Sequence, residues 1–390
     1  MEMNPLFMPS LQHLTLAKIA VMLCNNHDIK AILEKNRSCD SYKSDCAPSV
    51  ALDGNYLSML DRSRYPKYTL NYPLPHRDVS AAVLQQIRNK VCSMISPLNL
   101  APSFEKKILN FISHIILQIE KWEEDHSEIL PEKFNAQVYF CWKSVGTIDR
   151  ESTAENLFNH RKLNVATRFS FACWYCMESH LSSLWDNIYD SYKAHLISKC
   201  HSGSLLNYWT THLDGLHFKR SVFPDALYIT NLSALHYFYN KCDSEDKKKA
   251  FLNDVLSKQW KNLDLVQFCV GELCQNGYEQ LSSFQCRNIL RCFLNWPLQS
   301  LFLDMSEHLL INVDQFGIHD LLNDILKFII KHHFEDIDYL NLLKEFWNRV
   351  PSYHKDSLIN SPEFQPIKIA LQQTSAKSLT PEWFKQQGKK

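Results

Sequence analysis

The chain has 390 residues, with 42 Lys and Arg against 42 Asp and Glu, so no net field draws it to phosphate backbones or to an anionic membrane. Glycine is rare, at 8 residues, while 45% of the chain is hydrophobic, so Gly-rich ligand loops and β-turns are scarce and helices are favoured. Thirteen cysteines, an odd number set in apolar runs such as Phe268-Cys269-Val270, read as small core side chains of a reducing compartment, and the expected location is cytoplasmic.

The first predicted helix starts after Pro9, with Ser10 as its N-cap, and runs to about Cys24. Its apolar stretch is interrupted by Lys18 and no basic cluster precedes it, which fits neither a signal peptide nor a membrane span. A second short helix carries Ile29, Ile32 and Leu33, and the Ser-, Asp- and Cys-rich stretch Ser38 to Asp53 reads as a loop. Val83, Ile87, Val91 and Met94 recur at helical spacing, as do Ile108, Ile112, Ile115, Ile119 and Trp122. Gln137 to Trp142 reads as a short strand or a buried extended linker, and Ser152 with Glu155 has the spacing of a capping box.

From there the chain resembles itself. Leu227 to Trp260, Leu263 to Pro297 and Gly317 to Pro351 each read as helix, polar break, helix, a plan in which neighbouring units bury what none could bury alone. The expected fold is all-α: an α-solenoid-like array of stacked helix pairs, or else an irregular helical bundle. The corresponding divisions are a helical amino-terminal region at 1–130, a connecting segment at 131–148, the array at 149–375 and a tail at 376–390.

No chemistry announces itself. A phosphate cradle needs closely spaced glycines before a helix, and neither that, nor a nucleophile elbow, nor a His-Glu-x-x-His zinc helix is present. Cys173, Cys176 and His180 share one face of a predicted helix, with Cys200 and His201 downstream, but they continue the apolar stripe of Val165, Phe169 and Leu184 and read as core. His332, His333, Glu335, Asp336 and Asp338 sit at a polar break and read as a solvated turn. Trp185, Trp209, Trp260, Trp296 and Trp347 read as wedges between helix layers. No catalytic residue, metal ligand or cofactor is expected.

The segment Pro9-Ser10-Leu11-Gln12-His13-Leu14-Thr15-Leu16-Ala17-Lys18-Ile19-Ala20 resembles the elongin-binding helix of suppressor-of-cytokine-signalling boxes. The resemblance implies that Leu11 enters a pocket on elongin C, with Thr15 at the position of a small residue and Ile19 at that of an aliphatic one. Thr15 stands where that family most often has Cys. Downstream, Tyr72-Pro73-Leu74-Pro75 is similar to the family's cullin-contacting Leu-Pro-Leu-Pro element, which makes Pro73, Leu74 and Pro75 candidate contacts, although Tyr72 replaces the first Leu and the gap between the elements is long. The Pro-Ser-Leu-x-His-Leu opening and the aromatic, Cys-rich stretch Arg168 to Trp185 also resemble a family of uncharacterised helical proteins expanded in spiders, which implies a helical fold and no particular activity.

The expected function is therefore a non-catalytic protein-interaction scaffold that binds neither nucleic acid nor membrane. The alternatives are a substrate adaptor of a cullin-type ubiquitin ligase that binds elongins B and C, and an enzyme with an unrecognised site. The same spacing of Leu11, Thr15 and Ile19 arises in any amphipathic helix packed on a core. Exposure of Leu11 separates the two cases.

Overall fold

The computed structural model describes residues 7–40, 81–127, 129–131, 134–160, 163–200, 203–214, 224–274, 278, 281–331, 337–376 and 379. They are almost wholly helical: eighteen α-helices and one two-stranded ribbon. None of these helices is long and apolar enough to cross a membrane. The chain divides into two compact units, Gln12–Lys121 and Met1–Leu11 with Trp122–Lys390.

The first unit is built on α1 (Leu11–Cys24), α2 (His27–Asp40), α3 (Ala81–Ile95) and α4 (Pro102–Asp125). The stripes expected of α3 and α4 are core: Val83, Ile87 and Val91 are buried, as are Ile108, Ile112, Ile115 and Ile119. Ser38 to Asp40, expected as loop, instead continue α2, and the rest of that expected loop lies outside the described residues. The Gln12 side chain accepts from Lys107 of α4, and the His13 ring lies 4.7 Å from that of Phe111.

In the second unit a 3-10 turn (Ala136–Tyr139) leads into β1 (Cys141–Trp142), which pairs antiparallel with β2 (Ile148–Asp149). The expected strand is thus confined to its last two residues. Next come α5 (Arg150–Phe158), α6 (Val165–Trp174), α7 (Glu178–Asp186), α8 (Asp190–Lys199) and α9 (Leu205–Leu213). The expected capping box does not form, because α5 starts earlier: Asp149 is its N-cap, accepting from the Ser152 backbone N–H at 3.1 Å and from the Ser152 hydroxyl at 3.0 Å. Asp149 thus takes the Ser152 backbone N–H, the donor that the Glu155 carboxylate would have served in that box. The helix expected through Arg168 to Trp185 is likewise two helices, broken where Cys176 adopts φ +51°.

The array follows as α10 (Leu232–Lys241), α11 (Glu245–Lys258), α12 (Leu263–Leu273), α13 (Ser283–Phe293), α14 (Phe302–Leu309), α15 (Gln315–Lys331), α16 (Tyr339–Arg349), α17 (Ser352–Ile359) and α18 (Gln365–Gln372). Helices α11, α13, α15 and α17 pack in succession along one layer; α10 packs on α12, and α14 on α16 and then α18, along the other. Between the layers the closest packing is of α11 on α12, α13 on α14 and α15 on α16, and α10 also packs on α11 and α12 on α13. The third expected unit, Gly317 to Pro351, is α15 packed on α16, and the short α14, which the sequence pattern had not revealed, stands between it and the second unit.

Polar links repeat along the stack. Tyr239 donates to Glu272, Lys258 to Asp225, Arg287 to Asp320 and Arg291 to Asp324, each across 33 residues. Capping residues serve twice: Asn231 caps α10 and donates to the Trp174 carbonyl, and Asn262 caps α12 and donates to the Thr230 carbonyl. Trp185, Trp209, Trp260 and Trp296 are buried, as expected of wedges between layers, and Trp347 is half-buried against Phe364.

Candidate partner-binding face

Successive residues of a helix turn by about 100°, so Leu11, Thr15 and Ile19 fall along one side of α1. The core takes the other side. Leu16, Ala17, Ala20 and Cys24 are buried, while Leu11 is 79% exposed, Thr15 is exposed and Ile19 is half-buried. The same strip gains Met22, 66% exposed and one turn beyond Ile19. Small residues at 17 and 20 let α1 lie close to its neighbours, which seats the helix without drawing its large outer side chains inward.

The strip ends in a shallow hollow of about 280 Å³ lined by Ile19, Met22, Leu23, Asn25, Asn26 and Met94. Four of its six lining residues are apolar and two are amides. Methionine is flexible and polarisable and so adapts to an incoming apolar shape. Met22 and Asn25 were not picked out by sequence reasoning, although Met22 continues the three- and four-residue spacing from Leu11. Met94, expected as the last residue of the α3 core stripe, lines this hollow instead. The Asp28 carboxylate at the start of α2 pairs with Lys90 at 2.6 Å; hydrogen bonding to that ammonium holds its pKa below the ordinary value. Pro73, Leu74 and Pro75 lie outside the described residues.

The remaining chemistry-bearing groups are placed otherwise. Cys173 and Cys176 are buried; burial pushes the Cys173 thiol well up and the Cys176 thiol up to about 12, so both stay protonated at neutral pH. The three share no helix: Cys173 is on α6, Cys176 lies in the break after it, and His180 is exposed on α7, with its ring 4.8 Å from that of Phe158. Cys200 is half-buried, its thiol also raised by burial and its sulfur 3.7 Å from the Thr210 hydroxyl. His201, His332, His333, Glu335 and Asp336 lie outside the described residues, and Asp338 is the N-cap of α16.

Two buried polar nodes complete the picture. The His126 ring is stacked 3.9 Å from Trp122; the Trp122 carbonyl, 2.6 Å from Nδ1, can only accept, so in the neutral ring Nε2 accepts from the Tyr175 hydroxyl at 2.9 Å. Nearby, Arg150 holds Asp125 at 2.6 Å. On α15, Asp324 is 2% exposed and bound by Arg291 at 2.7 Å and Lys327 at 3.3 Å; burial raises its pKa despite the two cations. Both nodes are enclosed by packed helices, although Trp122 Nε1 and Arg150 Nη1 in the first are buried without a hydrogen-bond partner. No known protein family, curated protein or solved structure matches this chain.

Proposed function

We propose that the chain is a non-catalytic, cytoplasmic protein-interaction scaffold in which α1 engages the partner and the helix-pair array presents a client. The partner that suits α1 is the elongin B and C pair, with Leu11 as the leading anchor, Thr15 at the small position and Ile19 at the aliphatic one. The observation that supports this reading is the 79% exposure of Leu11 on a helix whose opposite side is core. Packing on the chain's own core, the ordinary explanation of such spacing, would have left Leu11 buried. A leucine moved from water into an apolar pocket gains about 1.5–3 kcal/mol, enough for one residue to dominate a helix-in-groove contact.

The test is co-purification of the intact chain and its Leu11→Glu variant with elongins B and C, with helicity compared by circular dichroism. Retention of the intact chain alone, at equal helicity, is the expected result. Loss of helicity in the variant would return Leu11 to a structural role, and failure of the intact chain to bind would remove the elongins as partner.

A further inference from the structure

Three successive helices of one layer carry an exposed aromatic side chain at the same place. Phe284, Phe316 and Tyr353 are each the second residue of α13, α15 and α17, and they are 48%, 78% and 61% exposed. Hydrogen bonds draw these first turns together. The Ser283 hydroxyl accepts from the Asp314 backbone N–H at 2.9 Å, and the Ser357 hydroxyl, one turn after Tyr353, donates to the Gln315 side chain at 2.8 Å. Elsewhere in the array the phenylalanine rings of 293, 302 and 346 are fully buried, so this row departs from the pattern around it.

The charge beside the row is acidic. Asp314, Asp356 and Glu363 are exposed, and none is held in an ion pair among the described residues. The nearby cations are already engaged: Arg287 is bound to Asp320 at 2.7 Å and lies 5.0 Å above the Phe284 ring, while Lys355 lies over Trp347. Helix N-termini ordinarily attract anions, but at two of the three the chain supplies its own acceptors, through the Ser282 and Gln285 capping box on α13 and Asp314 accepting from Gly317 on α15, while α17 starts after Pro351 with no side-chain cap. Among the described residues no Arg or Lys lies over Phe316 or Tyr353, the latter tilted against the His354 ring at 4.2 Å.

We propose that this edge docks a basic, extended peptide segment, whose Arg or Lys side chains lie over Phe316 and Tyr353 as Arg287 lies over Phe284 and pair with Asp314 and Asp356. Packed helices stand about 8–10 Å apart, so the row spans roughly 20 Å, which about six extended residues cover at ~3.3 Å each. Repeat arrays bind extended partners in this way, one contact per unit. The surface is separate from α1, and its assignment does not depend on the elongin reading.

The experiment uses the full chain and a fluorescein-labelled peptide of alternating Arg and Ala, read by anisotropy at low salt. The peptide is expected to bind and to weaken as salt rises, as exposed charge pairs do. Cation–π contacts at exposed sites imply that each lost ring weakens binding about 2- to 5-fold, so Phe316→Ala with Tyr353→Ala weakens it about tenfold at unchanged helicity. Leu11→Glu is expected to leave peptide affinity unchanged, which separates this surface from α1. No binding by the intact chain, equal affinity in the double variant, or equal binding of a Glu-Ala peptide or an oligouridylate at this edge overturns the proposal.

Discussion

Helices α1 and α16 are both short and rich in large apolar side chains, and they dispose of them in opposite ways. In α16, Tyr339, Leu340, Leu342, Leu343 and Phe346 are all buried, and Asn341 and Asn348 face water. In α1, Leu16, Ala17, Ala20 and Cys24 are buried, yet Leu11 and Met22 remain in solvent. The large side chains of α16 are thus mostly packed inside the array, whereas two of those on α1 are exposed. Scattered apolar residues on a surface are ordinary, and a line of them along one helix is less so.

The contrast can be broken most decisively in α16. The Phe346 ring is fully buried 5.1 Å from Phe302, and Phe346→Ala is expected to cost about 3–5 kcal/mol, measured as a shift of the denaturation midpoint. A loss of less than about 1 kcal/mol would mean that the array tolerates cavities and that burial does not distinguish the two helices.

The next largest effect belongs to Arg291→Met, which leaves Asp324 buried with Lys327 alone; about 3 kcal/mol is expected, the low end for a broken buried pair. The sign of its pH dependence follows from burial. Asp324 has a folded-state pKa above its usual value of 3.8, so its proton favours the folded state; that contribution is complete below the unfolded value and fades as pH rises through the folded one. Removing Arg291 raises the folded value further, so the variant's deficit at pH 7 should exceed its deficit at pH 4. An equal deficit at both would place the loss in packing instead.

Asp149→Ala removes the cap of α5 and is expected to cost about 1 kcal/mol, whereas Ser152→Ala costs less. The reverse ranking would restore the capping box. Smallest of all, Met22→Ala should change stability by no more than about 0.5 kcal/mol, in keeping with its exposure. A cost comparable to that of Phe346→Ala would show that the outer side of α1 is core after all.

Much of this fold was legible because helical spacing speaks directly to burial: Val83, Ile87 and Val91 occupy the positions their period requires. The misreadings share a cause. Asp149 and Ser152 are both good capping residues three positions apart, and only the chain path into β2 selects between them. No Gly or Pro marks the break between α6 and α7; a cysteine in the left-handed region makes it, a conformation that local composition gives no reason to expect. The eight residues of α14 offer too little periodicity to announce a helix of their own, which is why the three expected units left it out. For α1, Leu11, Thr15 and Ile19 were legible as a line but not as an outer line, since period fixes which residues share a side and says nothing of which side meets water.

The links that recur at 33 residues have a mechanical meaning. Three of the four tie a helix to the next helix of its own layer, and Lys258 ties α11 to Asp225 ahead of α10, so nothing in this set clamps one end of the array to the other. Pulled from the end at α18, the stack should yield pair by pair, each release freeing about 33 residues, or roughly 110 Å of chain at ~3.3 Å per residue. The array is then a ratchet of near-equal steps rather than a single brittle body, and a client held across two pairs would stiffen only the steps it bridges.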